Sequence, residues 1–161
     1  IATVGDVMDL QGENRILVKE GLKRLKNTRN PGLRELIRVN GLEDSKITAY
    51  HVGFVLGPCI NASGRLDTAA RSLALLNAEN QDEAAKLAGD LTALNQSRKS
   101  LTEEGKEAAI HQVENTDLKD DRVLVIYLPD CHESIAGIIA GRIREKYHKH
   151  KRRQSRQIHR H

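Results

Sequence analysis

Aromatic residues, cysteine and proline are all scarce in this sequence of 161 residues, which contains no tryptophan, two cysteines and three prolines. Cys59 and Cys131 are too few and too far apart to form a disulfide framework or a four-ligand zinc site. No stretch approaches the ~20 continuous apolar residues of a membrane span, and no signal peptide opens the chain. These absences exclude a transmembrane protein and make the reducing cytoplasm the expected location.

Positive charge is concentrated at one end of the chain. Residues 148–161 hold six of the 26 lysines and arginines, four of the seven histidines and no acid, so the rest of the chain carries a net charge of −2. A basic tail of this kind can bind nucleic acid through counterion release, whichever fold carries it. It follows Tyr147 abruptly, and two interpretations stay open: an evolved basic arm, or an out-of-frame or truncated end.

The spacing of apolar residues predicts that most of the chain is helical. Asn30-Pro31 and Gly41 have the residue types that begin and end a helix, and Gly57-Pro58 is expected to end another. Helices are expected over residues 13–25, 31–40, 46–55, 68–76 and 81–113. The last of these, for which Asp82 is the expected N-cap, spans about 50 Å if it is continuous.

Two segments are predicted as strands. Residues 1–10 alternate weakly and are typical of a strand that runs into a loop, whereas residues 122–128 form a continuous apolar run, which indicates a buried strand of the parallel type. A helix is expected to follow over residues 134–147. The fold class is therefore α/β overall, with most of this chain helical. Gly89 and Gly105 are the expected weak points of the long helix.

The segment GPCINASGR at residues 57–65 carries the strongest chemical signal. Two glycines and a proline bend the backbone, while Asn61, Ser63 and Arg65 supply two neutral polar groups and one guanidinium. A loop of this composition presents the N–H donors and the planar fork that bind phosphate oxygens. The alternative is an ordinary turn between helices, in which Asn61 forms local hydrogen bonds.

A second segment, DCHESIAGIIAGR at residues 130–142, places His132 and Ser134 between the predicted strand and the helix after it. The N-terminus of a helix at that position favours anions. Small residues keep one face of the helix open to close approach. The alternative is that they pack the helix against a sheet and that Ser134 is only its N-cap. Asp6 follows the first predicted strand and can bind a hard divalent cation, with a turn aspartate as the alternative and Asp9 as the neighbouring candidate.

These motifs, taken together in their order, closely resemble a known family. The segments ATVGDV (residues 2–7), ENR (13–15), VGFVLGPCINASGRLD (52–67) and HESIAGIIAGR (132–142) resemble RecJ-type single-stranded-DNA-specific exonucleases of the DHH phosphoesterase superfamily. The resemblance extends from Ile1 to about Lys149. It implies the end of a DHH lobe over residues 1–78, a connecting helix over 79–116, the start of a DHHA1 lobe over 117–147, and a basic tail over 148–161.

The resemblance also implies a function and roles for individual residues. Family members degrade single-stranded DNA from its 5′ end with Mn²⁺ or Mg²⁺, in DNA repair and recombination. Asp6 resembles a ligand of the catalytic metals, Arg65 and neighbouring Asn61 match the Gly-Pro motif, and His132 and Arg142 match positions that face the DNA phosphate. Two positions depart from the family pattern: Cys59 stands where arginine is commoner, and Gly141 stands where many members have serine.

The remaining metal ligands of the family have no counterpart in this sequence. We therefore expect an internal fragment of a metal-dependent exonuclease that is inactive by itself. Two alternatives stay open. One is a DHH/DHHA1 phosphodiesterase that acts on short oligonucleotides or cyclic dinucleotides. The other is a non-catalytic nucleic-acid-binding module that uses the basic tail, although an aromatic content of 2% offers few side chains for base stacking.

Overall fold

The computed structural model describes residues 1–121 and 123–158, with side chains up to residue 147, and all of its regular structure in these ranges is helical. The helices are α1 (Ala2–Gly5), α2 (Gly12–Lys26), α3 (Pro31–Val39), α4 (Ala49–His51) continuing through a π-helical turn (Val52–Leu56) into α5 (Gly57–Leu66), α6 (Ala70–Asn77), α7 (Gln81–Glu114), a 3-10 turn (Asp117–Asp120) and α8 (Glu133–Ile158). None of the described helices is long and apolar enough to cross a membrane.

The chain divides into two compact units, Ile1–Ser97 and Arg98–His161. The assignment of lobes and connector made from the sequence remains a prediction. The helical backbone of α8 continues into the basic tail, but the side chains of residues 148–161 lie outside the described part of the chain, and so do the predictions that concern them.

The amino-terminal segment is helical where the sequence predicts a strand. The N–H groups of Gly5 and Asp6 donate to the carbonyl oxygens of Ile1 and Ala2 at 2.9 and 2.8 Å. Backbone groups need hydrogen-bond partners, and no strand lies beside this segment among the described residues. The helical turn α1 supplies those partners within the segment itself. Val7, which follows, lies in the left-handed region with a φ of 55°.

A π-helical turn carries the chain through Gly57-Pro58, where the sequence predicts a helix end. The Gly57 N–H donates to the Val52 carbonyl, five residues earlier. This wider turn accommodates Pro58, which lacks an N–H to donate. A Cβ at Gly57 would lie 2.8 Å from the Val52 carbonyl oxygen, so the turn requires glycine. The predicted loop over residues 57–65 is therefore wrong, because the segment is helix α5.

Buried polar contacts fix the helices of the first unit around its apolar core. Asn30 caps α3 by accepting from the Leu33 N–H at 2.9 Å, and its amide donates to the Leu76 carbonyl at 2.7 Å. Glu35, which is buried, accepts hydrogen bonds from Arg38 and Gln81. The core consists of Leu25, Leu36, Ile37, Ile47, Val52, Leu56, Cys59, Leu75, Ala88 and Leu91.

Helix α7 is continuous over 34 residues, which corresponds to about 51 Å. Asn80, rather than the expected Asp82, accepts a hydrogen bond from the Glu83 N–H at 2.9 Å at its start. Neither Gly89 nor Gly105 interrupts it. Gly105 instead permits close packing in the second unit, because a Cβ there would lie 2.5 Å from Cδ1 of Ile139 in α8.

The predicted buried strand of the second unit is half-buried and lies alone. Leu124, Ile126 and Leu128 pack on the apolar side of α8, which is formed by Ile135, Ile139 and Ile143. The intervening Val123, Val125 and Tyr127 are 72–76% exposed. This alternation has the period of a strand, but the described residues contain no strand to pair with it. Arg122, the first residue of the predicted strand, lies outside the described residues.

Candidate phosphate-binding surfaces

Asn61 and Arg65 share an exposed surface of α5. Residues four apart on a helix are neighbours, so the amide and the guanidinium lie side by side. The sequence places these groups on a phosphate-binding loop, but the N–H groups of a helix are already paired within it. Any recognition of phosphate by α5 therefore depends on its side chains rather than on a nest of backbone N–H groups.

Ser63, the third candidate in this motif, is fully buried. Its hydroxyl donates to the Ser72 hydroxyl of α6 at 2.7 Å, and the Ser72 hydroxyl donates to the Ile60 carbonyl at 2.6 Å. Ser63 points into the unit because it lies two residues from Asn61, on the opposite side of a helix. The structure thus places Ser63 in the packing between α5 and α6 and away from any surface open to phosphate.

We expect Ser63→Ala to destabilise the chain by about 1 kcal/mol, because it removes a buried hydrogen bond while the Ser72 hydroxyl keeps its carbonyl partner. The measurement is urea unfolding followed by circular dichroism. Asn61→Ala is the control, since a change at this exposed position is expected to stay within about 0.5 kcal/mol. An equal loss in both variants would contradict the structural role of Ser63.

His132 caps α8 in the second unit. Its Nδ1 accepts a hydrogen bond from the Ser134 backbone N–H at 3.3 Å and lies 2.7 Å from the Ser134 hydroxyl. Because Nδ1 accepts, the neutral imidazole carries its proton on Nε2. His132 is exposed, so this Nε2–H can donate to a ligand at the start of the helix.

Arg142 is exposed on the same helix, nine residues after its first residue, Glu133. It follows His132 by ten residues, or about 15 Å along the helix axis. One phosphate cannot contact both side chains at that separation. His132 and Arg142 therefore offer two separate points of contact along α8.

Asp6 is exposed immediately after α1. The described residues contain no cluster of three or more histidine, cysteine, aspartate or glutamate side chains able to hold a metal ion. Residues 1–121 and 123–147 thus do not fit a complete catalytic metal centre, and Asp6 can supply one carboxylate at most. Asp6, Asn61 and Arg65 belong to the first unit, and His132 and Arg142 to the second.

Tyr50 and Phe54, two of the four aromatic residues, form a stacked pair that is exposed on the segment leading into α5, although the low aromatic content predicted few side chains for base stacking. The spacing of four residues between two aromatic side chains in a chain with so few is the signal that identifies it. The π-helical turn that keeps both rings on one continuous helix is not evident from residue types alone.

No protein-family model matches the chain. The fold matches an exonuclease crystal structure with bound manganese at a TM-score of 0.81 and 36% identity, over 90% of this chain and 36% of that one. A magnesium complex from Thermus thermophilus matches at a TM-score of 0.78 and 37% identity, over 90% of this chain and 22% of that one. The chain is thus similar to part of metal-binding exonucleases.

Both of these structures are RecJ proteins. The single-stranded-DNA-specific exonuclease RecJ of Dickeya dadantii is 37% identical over 92% of this chain and 27% of its own length. In sequence and fold the chain is related to the RecJ-type exonucleases, and it spans about a quarter of the length of the curated relatives it matches. The resemblance drawn from the sequence motifs is confirmed.

Proposed function

We propose that the intact protein containing this chain is a single-stranded-DNA-specific exonuclease that hydrolyses DNA from the 5′ end with Mn²⁺ or Mg²⁺, in cytoplasmic DNA repair and recombination. The observation that carries the proposal is the similarity to RecJ over nine-tenths of the chain, in sequence and in a fold solved with both metals. The test is degradation of single strands labelled at either end by the full-length protein. Equal attack on duplex DNA, or no metal dependence, would contradict it.

In this proposal the chain binds the DNA backbone and supplies one metal ligand. A bound metal ion contributes charge stabilisation and an activated water, whereas the described residues offer exposed guanidinium, amide and imidazole groups. Arg65 and Arg142 neutralise phosphate charge, and Asn61 and His132 donate hydrogen bonds to phosphate oxygens. Asp6 joins ligands from other parts of the intact protein.

A displacement experiment distinguishes single-stranded DNA from the alternative substrates, which are short oligonucleotides or cyclic dinucleotides. We expect a single-stranded oligonucleotide of about 20 nucleotides to displace a labelled single strand from the full-length protein, while a cyclic dinucleotide does not, because binding to several phosphates gives the longer strand its advantage. Equal displacement by the dinucleotide would favour the phosphodiesterase alternative.

Arg65→Ala and Arg142→Ala in the full-length protein should each weaken binding about equally for every DNA sequence. Each should also lower the salt slope, which is the steepness with which the logarithm of the affinity falls with the logarithm of the salt concentration, by about one unit. The reason is that both arginines are exposed and are proposed to contact phosphates, which carry no sequence information. The measurement is affinity as a function of salt concentration for two single strands of different composition.

Lysine variants at the same positions serve as controls for charge. An ammonium group keeps the charge but loses the bidentate fork, so lysine should restore only part of the affinity. Deletion of residues 148–161 removes the separate contribution of the basic tail. A loss that depends on DNA sequence, or an unchanged salt slope after either alanine substitution, would show that the arginine has a structural role.

A further inference from the structure

Two aromatic rings lie exposed on the helical segment that also carries Asn61 and Arg65. Tyr50 is 64% exposed and Phe54 is 68% exposed. The rings are stacked, with centroids 5.0 Å apart and an interplanar angle of 26°. His51 packs edge-on against the Tyr50 ring at 5.9 Å. The Tyr50–Phe54 pair is therefore an ordered aromatic surface that faces solvent rather than the core.

The helical segment that carries the pair contains no acidic residue between Asp44 and Asp67. Lys46, His51 and Arg65 all lie between these two aspartates. Lys46 and Arg65 are exposed like the two rings. An exposed aromatic pair on the same helical segment as an exposed arginine combines the two features with which proteins bind single strands: stacking on bases and attraction of phosphates.

The spacing along the helix suits a strand of DNA. Phe54 and Arg65 are eleven residues apart, or about 16 Å at 1.5 Å per residue. A stacked strand advances about 3.4 Å per nucleotide, so about five stacked nucleotides, or fewer extended ones, cover this distance. One strand can thus place a base against the rings and a phosphate at the Arg65 guanidinium.

We propose that the Tyr50–Phe54 pair is a platform on which a base of single-stranded DNA stacks. This inference rests on the proposed function and extends it from phosphate contacts to a base contact. Such a platform tolerates any sequence, because every base has a π face. It also requires a base that is not stacked within a duplex, and thereby contributes to selection of single-stranded DNA.

The test compares the affinity of the 161-residue chain for a single strand with its affinity for a strand of equal length whose sugars carry no bases. Fluorescence anisotropy of labelled strands is the measurement. Stacking of about 1–3 kcal/mol per base corresponds to a preference of roughly 5- to 150-fold for the strand with bases. The basic tail binds phosphates in both strands and creates no preference.

The variant Tyr50→Leu/Phe54→Leu keeps apolar side chains but removes both rings, so it should bind the two strands equally while keeping its affinity for the abasic one. Phe54→Tyr retains a ring and should retain the preference. The matched control is Tyr127→Leu, which removes a ring that is 76% exposed in the other unit and should change neither affinity.

The outcomes separate the two proposals. A chain that binds both strands equally, or a leucine double variant that keeps the full preference, overturns the stacking platform and leaves the proposed function standing. No binding to either strand overturns the stacking platform and also the proposed role of this chain in holding DNA.

Discussion

Asp6→Ala is expected to abolish turnover of single-stranded DNA by the full-length protein while leaving DNA binding largely intact. The carboxylate is proposed to hold a catalytic metal, and loss of a metal removes several kcal/mol of charge stabilisation. Since about 1.36 kcal/mol corresponds to a factor of ten in rate, we expect a loss of at least roughly a thousandfold. Initial rates with saturating Mn²⁺, together with equilibrium binding of the same strand, provide the measurement.

Asp9→Ala is the matched control, because Asp9 carries an exposed carboxylate three residues from Asp6. The hydrogen bond that Asp9 accepts from the Asn14 side chain uses its backbone carbonyl, so the substitution leaves that bond in place. It should retain normal turnover. The isolated chain should show no metal-dependent nuclease activity above background, since its described residues offer no cluster of metal ligands. Normal turnover by the full-length Asp6→Ala protein would remove Asp6 from the site.

Gly32→Ala should destabilise the first unit by about 3 kcal/mol or more, near the upper end of the effects of overpacking. Gly32 is buried in the first turn of α3, and a Cβ there would lie 1.9 Å from the Leu75 carbonyl oxygen. The obstacle is backbone of α6, so no side-chain rotation relieves it. In a domain of fewer than about 100 residues, such a loss lowers Tm by roughly 12–24 °C.

Gly21→Ala provides the matched control within the same unit. Gly21 lies in the interior of α2, and a Cβ there would meet nothing within 4 Å. The same change should therefore raise stability by about 0.5–1 kcal/mol, which is the helix preference of alanine over glycine. Thermal and urea unfolding of both variants is the measurement. Similar stabilities would show that α3 and α6 do not pack as closely as described.

Local sequence signals located most of the helices because caps and apolar spacing act over a few residues. The prediction of α3 from Asn30-Pro31 and Gly41 is confirmed by the Asn30 side-chain cap and by a Gly41 φ of 66°. The helix end predicted at Gly57-Pro58 is wrong, because the same two residues also fit a π-helical turn. Val52 and Leu56, the first and last residues of that turn, pack into the core of the first unit, a contact that the residue types of Gly57-Pro58 do not reveal.

The candidate site was predictable in its residue types and less so in its geometry. Asn61 and Arg65 are exposed as a phosphate contact requires, but Ser63 is buried, because a helix turns residues two apart to opposite sides whereas a loop need not. The cap formed by His132 was not anticipated, since histidine is not among the usual N-cap residues. The burial of Ser63 arises from the packing of α5 against α6, which residue types alone do not specify, whereas the His132 cap is a local contact with Ser134.

The solitary segment over residues 123–128 has a consequence for handling the chain in solution. Its sequence, VLVIYL, has high β-propensity and contains no charge, proline or glycine, and every second side chain is exposed. Segments of this kind template edge-to-edge assembly of separate molecules, and the flanking Asp120-Asp121 and Pro129-Asp130 are typical gatekeepers against it. Concentrated samples of the isolated chain are expected to aggregate through this segment. Val125→Lys should delay that aggregation, because Val125 is exposed and does not belong to the side that packs on α8.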